Sequence, residues 1–244
     1  MPKLYLIFVL SLISGGFDDM NAEKLLRQMY DRYHGKWYTS FTFVQTTERY
    51  RNDSLIQKST WYEALTFPDK FRIDFGQTKD GNAVIFRNDS IYDFRKGELK
   101  KKGIDRNDLT FLLGGLYFYP IEKSLEEIRS LHYDLGKFHE DKWKGRDVYV
   151  IGANTKDEKT NQLWIDKERF ILLRMIKYDE NTKEEGWFED HIQIGGGWSE
   201  TTAIFYINDQ LLQKEYYYDC KANPALDPGI FDPTAFGKIY WFKE

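Results

Sequence analysis

His132 and His139 stand near Asp134, Glu140 and Asp141, and imidazole with carboxylate is the donor set a zinc or similar ion would need. Their spacing does not suit it. No two histidines fall at i, i+4 on a helix, and no zinc-finger spacing appears. His34 and His191 are single histidines near aromatic residues. Cys220 is the only cysteine, so no internal disulfide can form, and its place after Tyr216-Tyr217-Tyr218 in an extended run reads as a packed thiol. Gly195-Gly196-Gly197 lies between two extended runs, where a wide turn is expected instead of a phosphate cradle. No G-x-S-x-G elbow, P-loop or dinucleotide fingerprint occurs. Acids are abundant enough to permit a glycosidase-type pair, yet nothing singles out two of them. The expectation is a protein that is not an enzyme, with no catalytic residue, no metal site and no cofactor.

What remains is apolar and aromatic, so the elements that arrange those side chains decide the function. Between Trp37 and Cys220 the chain is a ladder of amphipathic extended runs joined by nameable turns. Asn52-Asp53, Asn88-Asp89 and Asn208-Asp209 suit the left-handed backbone of type I′ hairpins, and Lys96-Gly97 and Lys144-Gly145 read the same way. Strands are expected at about 38–51, 55–65, 70–76, 82–87, 90–95, 146–153, 161–166, 170–178, 186–194, 198–207 and 210–220, or about eleven in all. Phe67-Pro68 marks a bend. By the period of two, Phe41, Phe43, Gln45 and Thr47 share one face, and Phe71, Ile73 and Phe75 alternate against Lys70, Arg72 and Asp74. An antiparallel sheet this long must close or curl round something. Phe41, Phe43, Phe71, Ile73 and Phe75 are placed on its concave apolar face.

Two helical segments complete the pattern. Asn21 is a candidate N-cap for a helix whose apolar face carries Leu25, Leu26, Met29, Tyr30 and Tyr33. From Asp108 to Tyr119 the chain is strongly apolar, and after Pro120 a second helical pattern carries Leu125, Ile128 and Leu131. Gly114-Gly115 lowers helix propensity there by roughly 1 kcal/mol per glycine. The segment is read as a movable cover that uses Leu112 and Leu116 together with Leu25 and Met29 of the first helix, the alternative being a static core helix.

Met1 to Lys3 is a short cationic start, and Leu4 to Ile13 is an apolar run broken only by Ser11. Ser14 and Gly16 occupy the small-residue positions of a cleavage site after Gly16. Residues 1–16 are accordingly expected to be a signal peptide and 17–244 a single domain, the alternative for the start being a buried strand. A run of about ten apolar residues is too short for a bilayer, which needs about 20. Of the 244 residues 41% are hydrophobic and 17% aromatic, and the formal net charge is −4. Basic residues are scattered among acids apart from Lys100 to Lys102, which reads as a solvated hairpin end, so nucleic acid is not an expected partner. The mature chain is expected to be a soluble monomer.

At this point a resemblance enters. Phe43-Val44-Gln45, the bend Phe67-Pro68-Asp69-Lys70-Phe71-Arg72 within Tyr62 to Phe75, and the Val84 to Phe94 hairpin resemble the N-terminal half of the periplasmic lipoprotein carriers of the LolA/LolB type. Asn161 to Asp166, Phe170 to Tyr178 and Phe231-Asp232-Pro233 are similar to the C-terminal half. The resemblance covers nearly all of the mature chain and rests on the order of elements more than on any one motif. It implies a mainly β, open and strongly curved half-barrel, covered by an N-terminal helix and a mid-chain helical segment. It also implies a periplasmic location, lipid or lipoprotein acyl chains as ligand, and a membrane-bound donor or acceptor protein as partner. In the carriers an Arg precedes the proline of the bend and helps hold the lid closed. Here that position is Phe67, which cannot supply charged hydrogen bonds. The alternative function is an envelope sensory or structural protein that docks a partner protein through the same sheet, without bound lipid.

Overall fold

The computed structural model describes residues 20–242, so the signal-peptide reading of residues 1–16 lies outside the described residues. Helix α1 (Ala22–Tyr33) starts where the cap was expected, with Asn21 Oδ1 accepting from Lys24 N at 3.0 Å. It buries Ala22, Leu25, Leu26, Met29 and Tyr33 along one face. A first meander follows, made of β1 (Ser40–Arg51), β2 (Ser54–Thr66), β3 (Lys70–Phe75), β4 (Ala83–Arg87), β5 (Ser90–Arg95) and β6 (Glu98–Ile104). The turn residues Asn52, Asp53, Asn88, Asp89, Lys96, Asn208 and Asp209 all have positive φ, the backbone that Asn, Asp and Gly tolerate best and that matches strand twist.

The helical insertion consists of α2 (Asp108–Leu112), a 3-10 turn at Gly115–Phe118 and α3 (Ile121–Ser130). A second meander then runs through β7 (Phe138–Trp143), β8 (Arg146–Ile151), β9 (Gln162–Asp166), β10 (Leu172–Asp179) and β11 (Thr182–Glu189). After a separate small hairpin of β12 (Ile192–Ile194) and β13 (Gly197–Ser199), it continues through β14 (Thr202–Ile207) and β15 (Gln210–Ala222). Gly195-Gly196 is the tight two-residue turn of the small hairpin and Gly197 opens β13, so the glycine run turns the chain, though more sharply than the wide turn expected.

Among the described residues thirteen strands form one antiparallel sheet in the order β6-β5-β4-β3-β2-β1-β15-β14-β11-β10-β9-β8-β7, with β6 and β7 as its edges. The two meanders are thus zipped together along β1 and β15, from Phe41 opposite Ala222 to Arg49 opposite Gln213. The expected strand set lacks β6 and β7, whose sequences ELKKKGI and FHEDKW are too polar to alternate cleanly. The expected runs at 186–194 and 198–207 also divide, because the chain turns at Asp190, which has φ +52°, and pairs β12 with β13 outside the main sheet.

One face of the sheet carries the main core with α1, α2 and α3 over it. The other face is covered around β3 by the C-terminal tail. There Arg72 Nε and Nη2 donate to the Asp74 carboxylate at 2.8 Å, Nη1 donates to the Ile230 carbonyl at 3.0 Å, and Trp241 Nε1 donates to Asp74 Oδ2 at 2.9 Å. Phe236 lies under the guanidinium, 5.0 Å from its centre. The charged half of the β3 alternation is therefore as buried as the apolar half.

Candidate functional site

Phe41, Phe43, Phe71 and Ile73 line one cavity of about 140 Å³ on the helix-covered face, spanning the seam between the two meanders. Register explains their convergence. Phe41 pairs with Leu65 and Leu65 with Phe71, while Phe43 pairs with Glu63 and Glu63 with Ile73, so the side chains line up in rows across β1, β2 and β3. Across the seam the wall continues through Tyr217, Phe188 and Phe205, with the Phe43 and Tyr217 rings 4.4 Å apart. Phe75 lies one step further along, edge-on to Trp61 at 4.8 Å, and is not part of the lining.

The insertion supplies the roof, through Leu109, Thr110 and Leu113. Leu25, Met29, Leu112 and Leu116 are buried in the same core but do not line the cavity. The segment's hydrophobic period identified the right stretch without saying which of its faces meets the sheet. A second cavity of about 350 Å³, lined by Met175, Gly186, Ile207 and Leu212 among others, shares Asn107, Leu109 and Phe205 with the first. Leu109 thus stands between two parts of one groove.

The roof is held down by aromatic and charged contacts. Phe67 stacks on Phe118 of the 3-10 turn, with centroids 4.9 Å apart and planes 18° apart, and packs on Tyr38. Phe67, which cannot supply the charged hydrogen bonds of an Arg, meets the mid-chain segment with its ring instead. A Cβ on Gly114 would lie 2.7 Å from both Phe67 Cζ and Trp37 Nε1, so glycine is required there by close approach. At the front of the segment Asp108 pairs with Lys177 of β10 at 3.1 Å and with Arg106 at 3.2 Å, and Arg106 also reaches Glu127 of α3. Arg27 of α1 pairs with Glu122 of α3 at 2.8 Å.

Three carboxyl groups in the apolar lining escaped the sequence reading. Glu63, Glu200 and Glu215 are all buried and all border the cavity. Burial raises each above the ordinary carboxyl range, Glu200 up to about 7, and Glu215 and Glu200 further raise Glu63. Glu215 accepts hydrogen bonds from Tyr217 Oη and Gln213 Nε2, whereas Glu63 has no hydrogen-bond or ion-pair partner among the described residues. The signal was present in the strand alternation, since Glu63 falls on the same face as Trp61 and Leu65.

The histidine region disperses. His139 Nδ1 lies 2.8 Å from the Ala153 carbonyl, Asp134 Oδ1 accepts from Gly136 N at 2.9 Å, and Glu140 pairs with Lys167 at 2.5 Å. Among the described residues no group of three or more His, Cys, Asp or Glu could hold a metal ion. Cys220 is half-buried, and burial with nearby Glu200 and Asp219 pushes its thiol up to about 11, which leaves it a poor nucleophile at neutral pH.

No family model and no curated protein matches this sequence. Solved structures do share the architecture. A DUF1329 family protein from Desulfovibrio piger aligns over 88% of this chain and 97% of its own, with TM-score 0.58 and 13% identity. A LolA superfamily protein from Nitrosomonas europaea aligns over 88% of this chain and 99% of its own, with TM-score 0.55 and 12% identity. An outer membrane lipoprotein-sorting protein domain from Vibrio parahaemolyticus aligns over 89% of this chain and all of its own, with TM-score 0.55 and 15% identity. At these identities the likeness establishes the fold, and this chain has the LolA-like curved sheet that its sequence resembles. Among the described residues no helix is long and apolar enough to cross a membrane.

Proposed function

We propose that this protein is exported to the periplasm and carries a lipid, or the acyl chain of a lipoprotein, in the groove beneath the mid-chain segment. The observation that carries the reading is the lining. Phe41, Phe43, Phe71 and Ile73 form one apolar wall with Leu109 and Leu113 above it, and a chain laid there leaves water. Each buried methylene contributes about 0.8 kcal/mol, so about ten are enough for tight holding. The cavity of about 140 Å³ takes only part of such a chain. Moving the Leu109 side chain aside joins it to the neighbouring cavity of about 350 Å³, and the result falls within the usual range of roughly 300–1,000 Å³ for ligand sites. A carrier of this kind exchanges its cargo with a membrane-bound donor or acceptor protein.

The test is cargo itself. Protein purified from the envelope under non-denaturing conditions is expected to release acyl species in mass spectrometry, and added lipopeptide is expected to raise its melting temperature through preferential binding to the folded state. Protein that carries no acyl species and shows no shift with lipopeptide would sink this reading.

A further inference from the structure

Two features of the cavity do not belong together in a plain acyl-chain pocket. Its walls are aromatic and aliphatic, yet Glu63, Glu200 and Glu215 border it with no Lys or Arg side chain in the lining. Glu63 is the sharpest case, since it is 4% exposed, lines the cavity and has neither a hydrogen-bond nor an ion-pair partner among the described residues. Buried polar groups are normally paired, and a buried carboxylate is paired or neutralised. Inside the protein Glu215 finds Tyr217 and Gln213 as donors, but nothing equivalent serves Glu63. A partner from outside would complete the set.

That partner is best a cation. Burial favours the protonated form of these carboxyls, and a positive charge beside them restores the ionised form with its stronger hydrogen bonds, whereas a fatty-acid headgroup or a phosphate opposes it. A protonated primary amine offers three N–H donors and one positive charge, and its hydrogen bonds to carboxylates are the strong, charge-assisted kind. A divalent ion is the other cation to weigh, and these side chains do not form a group able to hold one. The apolar walls then require that the amine be attached to a hydrocarbon chain.

We infer that the cavity selects an amphiphile with a protonated amine head paired with Glu63, with Glu200 and Glu215 in the same lining, and an alkyl tail along Phe41, Phe43, Phe71 and Ile73. This rests on the lipid-carrier reading and adds the headgroup class to it.

Titration calorimetry of the full chain with dodecylamine, dodecanol and dodecanoate, each below its micelle concentration at neutral pH, separates the two claims. Dodecylamine is expected to bind at least about tenfold more tightly than either of the others, the gain that charge-assisted hydrogen bonds supply. The advantage should fall to about threefold or less in Glu63→Gln and in Glu200→Gln, with a parent-like circular dichroism spectrum and a cooperative melting transition showing that the variants are folded. Equal affinity for all three compounds, or preference for dodecanoate, overturns the amine assignment and leaves the apolar groove standing. Failure of all three to bind overturns both.

Discussion

At the scale of single residues, the buried acids decide how the molecule responds to pH. Glu200 ordinarily titrates at 4.5 and is pushed up to about 7 by burial and by Glu215. Between those values the folded chain keeps a proton that the unfolded chain has released. The stability tied to that proton is thus fully present below about 4.5 and is lost as pH rises toward and past 7, an effect on the order of 3 kcal/mol. Glu63 and Glu215 are raised as well and act with the same sign. Melting temperature measured from pH 4.5 to 8 is therefore expected to fall, and Glu200→Gln should flatten part of that slope, whereas an unchanged slope would show that Glu200 titrates normally. Arg72 and Asp74 behave differently, because each neutralises the other at 1% and 0% side-chain exposure. Asp74→Ala strands a buried guanidinium and should cost about 3–5 kcal/mol in urea unfolding, while Arg72→Met with Asp74→Leu should cost clearly less. This pair also marks a limit of strand alternation as a guide. Charged residues opposite Phe71 and Ile73 suggest a face toward water, but a tail that carries Ile230, Phe236 and Trp241, remote in sequence, covers them.

At the scale of elements, the insertion was visible as a dense apolar stretch closed by Pro120, and its helices appear at 108–112 and 121–130. Which side chains reach the cavity was not visible, because α2 is only five residues long and its apolar side chains point to several sides, so that Leu109 and Leu113 line the cavity while Leu112 and Leu116 are buried elsewhere in the core. The hairpin turns were legible for the opposite reason. Asn-Asp and Lys-Gly pairs meet a purely local backbone requirement, which nothing distant can override. Gly114 was legible only as a weak point of the helix, although the structure assigns it a steric task between Phe67 and Trp37. Gly114→Ala should therefore destabilise the fold by about 1–3 kcal/mol, as overpacking does, and loosen the roof. A variant as stable as the parent would mean that Phe67 can yield. Leu109→Trp should fill the divide between the two cavities and weaken alkyl binding by about tenfold or more without loss of melting temperature, a split that a merely structural role for Leu109 does not produce.

For the whole molecule, an open sheet of thirteen strands has two unpaired edges, and exposed edges invite pairing with another chain. Lys100, Lys101 and Lys102, all exposed, sit on edge strand β6. Their charges oppose such pairing, a common device at natural sheet edges. Replacing all three with Thr should produce concentration-dependent dimers or larger species in size-exclusion chromatography. A variant that stays monomeric would place the protection elsewhere, in twist or in the β5–β6 irregularity. The seam between β1 and β15 carries a different consequence. Because Phe41 meets Ala222 and Arg49 meets Gln213, the middle of the sheet is made from opposite ends of the chain. Each meander can zip up hairpin by hairpin as it is synthesised, whereas long-range pairings form late and slowly. The cavity straddles that junction, so it does not exist in a partly emerged chain. Whatever the cavity takes up can therefore be held only after the last strand of the sheet has closed against the first, and a chain still being made has no finished cradle.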